Sequence, residues 1–283
     1  MNARKIEENF FKTVAAGSTF IIFSSLILLL ITIVARGLPY LNLAMITQSP
    51  KGGYYIGKEG GILNAILGSL YLAGGATVLA LLLSLPIVFY LNVYAKKRSR
   101  LVLFTRFSLD VLWGVPSIVY GAFGFSIMLV FGLKASLLGG IIAVALLILP
   151  IMSRAMDEVV RMVPNELFEA SYALGATKLE TASRIIMRQA LPGILTAVLI
   201  AFGRGIGDAA SVMFTAGFTD AIPTSLLRPA ATLPLAIFYQ LGTPFPEVQN
   251  RAYASAFVLT LIILIISVVS RFLARNVARH IVK

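Results

Sequence analysis

Asn165-Glu-Leu-Phe-Glu-Ala-Ser-Tyr-Ala-Leu-Gly175-Ala-Thr-Lys-Leu-Glu180 decides how the rest of the chain is read, because this polar stretch stands between apolar segments long enough to span a bilayer. Pro164 pre-sets an early helical position, Gly175 supplies a left-handed stop, and Thr177 with Glu180 forms a capping box that starts a second helix. The pattern predicts a helix-turn-helix of two short helices on the membrane surface. Two other readings fit the local pattern: a solvated hairpin with no docking role, and a soluble DNA-binding helix-turn-helix. The flanking apolar spans exclude an ordinary soluble domain.

Composition points the same way. The 283 residues are 58% hydrophobic and 13% charged, with a mean hydropathy of +0.90, which is too apolar for a protein with a watery surface. The formal charge of +12 invites a nucleic-acid reading, but the basic residues punctuate apolar spans instead of lining one face. There is no cysteine, hence no disulfide framework or Cys-based metal site, and the lone His280 reads as a solvated tail residue. No metal site is expected. An uncharged run of 23 residues, 13–35, follows a charged N-terminus; it is too long for a removable signal peptide and lacks a small-residue cleavage site.

A bilayer core needs about 20 apolar residues per helix. Six spans are predicted, at 15–36, 64–94, 104–133, 136–156, 190–217 and 252–272, with bending expected at Gly74-Gly75, Pro86 and Gly114-Val115-Pro116. A seventh uncharged segment of 18 residues, 229–246, is broken by Pro229, Pro234, Pro244 and Pro246. Charge decides against its crossing. With six spans and an inside N-terminus, 17 basic residues lie inside, while Arg36, Lys51, Lys58, Lys134, Arg228 and Arg251 lie outside and Arg204 falls within a span. A seventh span would carry Arg271, Arg275, Arg279 and Lys283 to the outside. The expected organisation is therefore a cytoplasmic N-terminus, 1–14, and a single transmembrane domain, 15–283. Its polar loop 157–189 faces the cytoplasm, and its outer loop 218–251 carries a short or re-entrant helix. Both termini are expected inside the plasma, or inner, membrane.

Two motifs lie within spans. Gly203-Arg204-Gly205-Ile206-Gly207-Asp208 places opposite charges four residues apart, on one helix face and within pairing distance. Ionisable groups at membrane depth cost about 2.5–3.5 kcal/mol each on insertion scales, so they face a cavity or each other. Arg204 in a pathway would contact an oxyanion through its planar fork, with Asp208 holding or gating it; the other reading is a structural ion pair. Gly114-Val-Pro-Ser-Ile-Val-Tyr-Gly121 frees backbone groups that lipid cannot satisfy, and Ser117 and Tyr120 offer hydroxyls that either satisfy them or line a channel. Gly52-Gly-Tyr-Tyr-Ile-Gly57-Lys58-Glu59 matches a phosphate-cradling loop, but Glu59 stands where magnesium needs Ser or Thr, and no strand precedes it. The chain offers no nucleophile elbow or metal cluster, so no catalytic residue is assigned and no enzyme activity is expected.

Glu169-Ala170-Ser171, with Gly175 six residues after the Glu and Ile185 ten after the Gly, resembles the EAA motif of ABC importer permeases. Ser171 departs from the second Ala, and Met187-Arg188 stands where that family has Leu-Pro. The resemblance implies that Glu169, Ala170 and Gly175 belong to a loop that docks on a cytoplasmic ATPase. Residues 62–68, 114–121, 203–215 and 231–238 together resemble the PstA family, permease subunits of phosphate-specific ABC transporters. In that family the acidic residue four after the Arg is usually Glu; the shorter Asp208 predicts a looser or water-bridged pair.

The resemblance implies the all-α, six-span architecture of type I (MetI-like) importer permeases and half of a transmembrane pathway for inorganic phosphate. The implied partners are a PstC-like second permease subunit, a PstB-like ATPase dimer and an external PstS-like phosphate-binding protein. ATP and magnesium would be used by the ATPase, with no cofactor bound by this chain. Rival readings are a permease for sulfate, molybdate or phosphonate, an ion-coupled secondary transporter using Arg204 and Asp208 as a relay, and a membrane-embedded scaffold. An ATPase-docking loop and the lack of an evident inverted repeat weigh against the secondary transporter.

Overall fold

A computed structural model describes residues 3–51, 59–96 and 99–278. The motif at Gly52–Lys58, the tail residue His280, and the basic residues Lys97, Arg98, Arg279 and Lys283 counted above lie outside the described residues. Among the described residues, five helical segments are long and apolar enough to cross a membrane, or six if a sharply bent pair counts as one span.

The centre of the molecule is a pair of long helices, α3 (Leu63–Phe89) and α6 (Leu137–Arg161). Each presents a stripe of buried residues at every fourth position. On α3 these are Leu72, Ala76, Ala80, Ser84 and Val88; on α6 they are Val144, Ile148, Met152, Met156 and Val160. The small residues of α3 admit the larger ones of α6, which lets the two backbones approach closely where lipid provides no hydrophobic push. Ser84 and Ser153 join across this seam, their hydroxyl oxygens 2.8 Å apart. A third stripe, Ala190, Ile194, Ala197 and Ala201, lies on α9 (Met187–Ile206), which packs on both. Around this core run α1 (Ala3–Gly37) and α12 (Pro246–Ala278), which pack on each other; Gly37 meets the Tyr253 backbone and the Arg36 guanidinium lies 5.3 Å from the Tyr253 ring centre. A short helix α2 (Leu43–Thr47), capped by Asn42, and a two-residue hairpin, β1 (Pro50–Lys51) with β2 (Glu59–Gly60), lead into α3.

The bend expected at Gly114-Val115-Pro116 is present and sharp: α4 (Arg100–Trp113) and α5 (Ser117–Val130) meet there at 100°. Two other expectations are revised. The helix expected across 190–217 stops at Ile206 and resumes only as α10 (Val212–Thr215), so Asp208 occupies a break instead of a helix face. The second helix of the polar loop is not a short surface helix. It begins at Lys178 as α8 (Lys178–Glu180), passes through a π-helical turn at Thr181–Ile186 and continues as α9, because Arg188 keeps the backbone N–H that a proline there would remove. The proline inside this helix is Pro192.

Within 229–246 a helix forms only over Leu233–Leu241, α11. Nine residues rise about 14 Å, half of a bilayer core. The Leu233 N–H donates to Ser69 Oγ (2.8 Å), which fixes α11 at the N-terminal end of α3, opposite the end that faces the polar loop.

Candidate functional site

Local chemistry builds the polar loop. Its first helix, α7 (Asn165–Ala173), follows Pro164 and ends in a left-handed Gly175, φ +81°. The Gly175 N–H donates to Tyr172 O (3.0 Å) and the Ala176 N–H to Ser171 O (3.1 Å), the paired bonds of a Schellman stop. Glu180 then accepts from the Thr177 N–H (3.0 Å) while Thr177 Oγ1 accepts from the Glu180 N–H (3.3 Å), completing the capping box. Bonds from the Thr177 N–H and hydroxyl hold the Glu180 carboxyl below its usual range. Glu169, Ala170 and Gly175 are all exposed. So are Leu174, at 88%, and Leu179, at 66%, which leaves an apolar tip on a polar hairpin.

Ser171, the departure from the EAA pattern, is buried with its hydroxyl oxygen 2.8 Å from Thr181 Oγ1. Thr181 spends its single proton on Thr177 O (3.0 Å), so Ser171 donates. An alanine would fill the same space without this tie between α7 and the π-helical turn. Sequence reasoning missed the pairing because Thr181 carries no signal of its own.

The second constellation lies at the break after α9. Arg204 Nη1 donates to Asp208 Oδ1 at 2.9 Å, with the Arg side chain 42% exposed and the Asp side chain 3%. The pair is direct, not loosened by the shorter Asp: the chain leaves the helix at Gly207 and turns the carboxylate back toward Arg204. The other oxygen, Oδ2, accepts from the Ser211 N–H (2.8 Å) and hydroxyl (2.5 Å). Asp208 is thus a turn-former held by three donors, and the Arg204 side chain stays partly exposed. The spacing Asp208-x-x-Ser211, an acidic side chain capping a backbone N–H three residues on, is the signal for the break that the span assignment overlooked.

The two broken segments touch. A Cβ on Gly121 of α5 would stand 2.8 Å from Ser211 O, so only glycine permits α5 to lie against the break beside Asp208. The Tyr120 hydroxyl donates to Leu112 O (2.8 Å), a carbonyl at the 100° bend that also accepts from the Val115 N–H (3.2 Å). Ser117, the first residue of α5, is half-buried next to it. The structure therefore brings Tyr120, Gly121, Arg204 and Asp208 into one neighbourhood. It leaves Glu169, Ala170 and Gly175 on the separate polar hairpin.

Residues 93–283 match the family described as the inner membrane component of binding-protein-dependent transport systems. A phosphate transport system permease protein PstA of Yersinia pestis is 37% identical over 87% of this chain and 82% of its own length. The chain belongs to the PstA family. A second PstA-family member, PstA 1 of Mycobacterium tuberculosis, is 36% identical over 94% of this chain and 86% of its own length. Among solved structures, a permease chain of a bacterial alginate ABC transporter superposes with a TM-score of 0.67 at 14% identity, covering 99% of both chains. A chain of the MetNI methionine ABC transporter gives 0.65 at 19% identity, covering 76% of this chain and 95% of its own. These two show the fold: this PstA-family chain is an all-α membrane protein built like ABC importer permeases.

Proposed function

We infer that this chain is the permease subunit of an ABC importer and forms half of the transmembrane pathway for inorganic phosphate. The observation that carries this reading is its 31–37% identity, over 86–95% of its length, to several proteins named as phosphate transport permeases. The family consists of transport permeases, so ATP hydrolysis belongs to a partner. The reading places the chain in the plasma, or inner, membrane with both termini in the cytoplasm. An open groove of about 1090 Å³ runs between α9 and α12 past Thr196, Ile200 and Gly203, consistent with a pathway that one chain does not enclose and a PstC-like second permease completes.

The roles follow from the geometry. Arg204, half-exposed and oriented by a buried Asp208, offers a fixed positive charge and free donors to a tetrahedral oxyanion, which replaces part of its lost hydration. Asp208 keeps the guanidinium aimed and competes for it, so the anion is contacted transiently. Tyr120 and Ser117 stabilise the bend that sets α5 against this place. The exposed hairpin around Glu169, Ala170, Leu174 and Gly175 docks on a PstB-like ATPase dimer, and a PstS-like protein delivers phosphate to the end of the bundle that carries α11. ATP-driven closure of the ATPases shifts the population between inward- and outward-open states through that hairpin. The test is phosphate uptake by the assembled complex carrying Arg204→Gln together with Asp208→Asn, which strands neither charge. Loss of uptake with ATPase assembly intact supports the role, and undiminished uptake overturns it.

A further inference from the structure

At the hairpin end of the bundle lies a network that the span and motif readings did not reach, because its members are far apart in sequence. Asp157 of α6 is fully buried. Its Oδ2 accepts from Arg106 Nε (2.9 Å) and Arg154 Nη1 (3.4 Å), and its Oδ1 accepts from Arg106 Nη2 (3.0 Å) and Asn92 Nδ2 (2.7 Å). Arg106 Nη2 also donates to Asn92 Oδ1 (3.3 Å). Arg154 reaches outward to Asp110 (2.6 Å) and Glu158 (3.2 Å), and Arg161 faces Glu158 at 3.6 Å. One carboxylate thus joins α6, α4 and the π-helical turn Tyr90–Tyr94 that carries Asn92.

We propose that the bidentate Asp157–Arg106 pair is a positioning clamp that makes α4, the first half of the broken span, move as one body with α6 and the hairpin. Apolar grip on α4 is slight: only Val102 and Leu109 are buried, whereas Leu101, Leu103, Phe104 and Phe107 are exposed. A two-bond guanidinium–carboxylate contact fixes orientation as well as distance, which scattered apolar contacts do not. The clamp has an input on each side. Asp157 sits one turn before the end of α6, after which Pro164 opens α7. Lys178, at the start of the second hairpin helix, lies 5.9 Å from the Tyr94 ring centre on the turn that carries Asn92. Its output is the 100° bend, since α4 carries α5, and Gly121 of α5 rests on the Ser211 carbonyl beside Asp208. Hairpin movement thereby reaches the Arg204 neighbourhood.

The inference rests on the hairpin being the ATPase contact. The chain has no native cysteine, so spin labels attach cleanly at Leu103→Cys on α4 and Met162→Cys at the end of α6, both exposed. In the full importer the clamp holds that distance constant between nucleotide-free and vanadate-trapped states. The Arg106→Gln/Asp157→Asn pair, which removes both charges without stranding either, lets it change or broaden. The same double variant, reconstituted, should hydrolyse ATP while phosphate moved per ATP falls roughly tenfold; Arg106→Lys, which keeps charge but not the fork, falls between. A wild-type distance that changes on trapping overturns the clamp, as does a double variant whose distance and transport ratio both match wild type. A wild-type importer that moves no phosphate defeats the functional reading alone, because the distance measurement needs no transported anion.

Discussion

Gly175 offers a substitution whose cost is almost purely conformational. Its φ of +81° is left-handed, and nothing stands within 4 Å of where a Cβ would be, so steric contact adds no penalty. A non-glycine L-residue in that region costs about 1–2 kcal/mol, least for Asn and most for a β-branched side chain. If the chain escapes the strain, it gives up the Gly175-to-Tyr172 and Ala176-to-Ser171 bonds, each with a net contribution of about 0.5–1.5 kcal/mol. Either route lands in the same range, enough to populate misdirected hairpins but too little to unfold a bundle of this size. The expected order of transport is therefore Gly, Asn, Ala, Val. The assay is phosphate uptake and ATP hydrolysis by reconstituted complexes, normalised to permease in the membrane. Gly175→Val at wild-type abundance should hydrolyse ATP with severalfold lower uptake. Wild-type uptake in that variant would refute the reasoning. Loss of the protein itself from the membrane would do so as well, since the cost would then be global.

Arg204→Gln alone strands a buried carboxylate, whereas Arg204→Gln with Asp208→Asn removes both charges; the double variant should assemble yet fail to move phosphate, and near-normal uptake would leave a structural ion pair. Tyr120→Phe takes the hydroxyl from Leu112 O, so thermal unfolding should register a loss of about 1 kcal/mol with uptake largely kept, because the residue serves the bend and not the anion. Gly121→Leu forces a side chain against the Ser211 carbonyl and should abolish uptake at normal abundance, read by uptake and immunoblot together. Cysteines at Gln249 and Leu174 should react with an impermeant thiol reagent from opposite sides of the membrane; labelling from one side would force a different topology.

What was legible in the sequence was local. The left-handed stop and the capping box are interactions within three or four residues, so Gly175, Thr177 and Glu180 announce the hairpin on their own. Arg204 and Asp208 announce themselves for the same reason. The break before α10 was hidden because residues 209–217, which follow Asp208, carry no charge and no proline, and only Ser211 reveals that the carboxylate leaves the helix. The sharpness of the bend after α4 depends on Tyr120 closing back on Leu112 and on α5 meeting the break at Gly121, contacts that hydropathy does not encode. Asp157 escaped notice because it ends an apolar span, where a charge is unremarkable, and its partners lie 51 and 65 residues away.

Uptake of labelled phosphate by the purified permease pair, ATPase and binding protein in proteoliposomes, with excess sulfate or molybdate as competitor, tests the central claim most directly. The account predicts ATP-dependent accumulation that unlabelled phosphate suppresses and neither competitor does. Accumulation without ATP, or uptake displaced by sulfate or molybdate as readily as by phosphate, would contradict it.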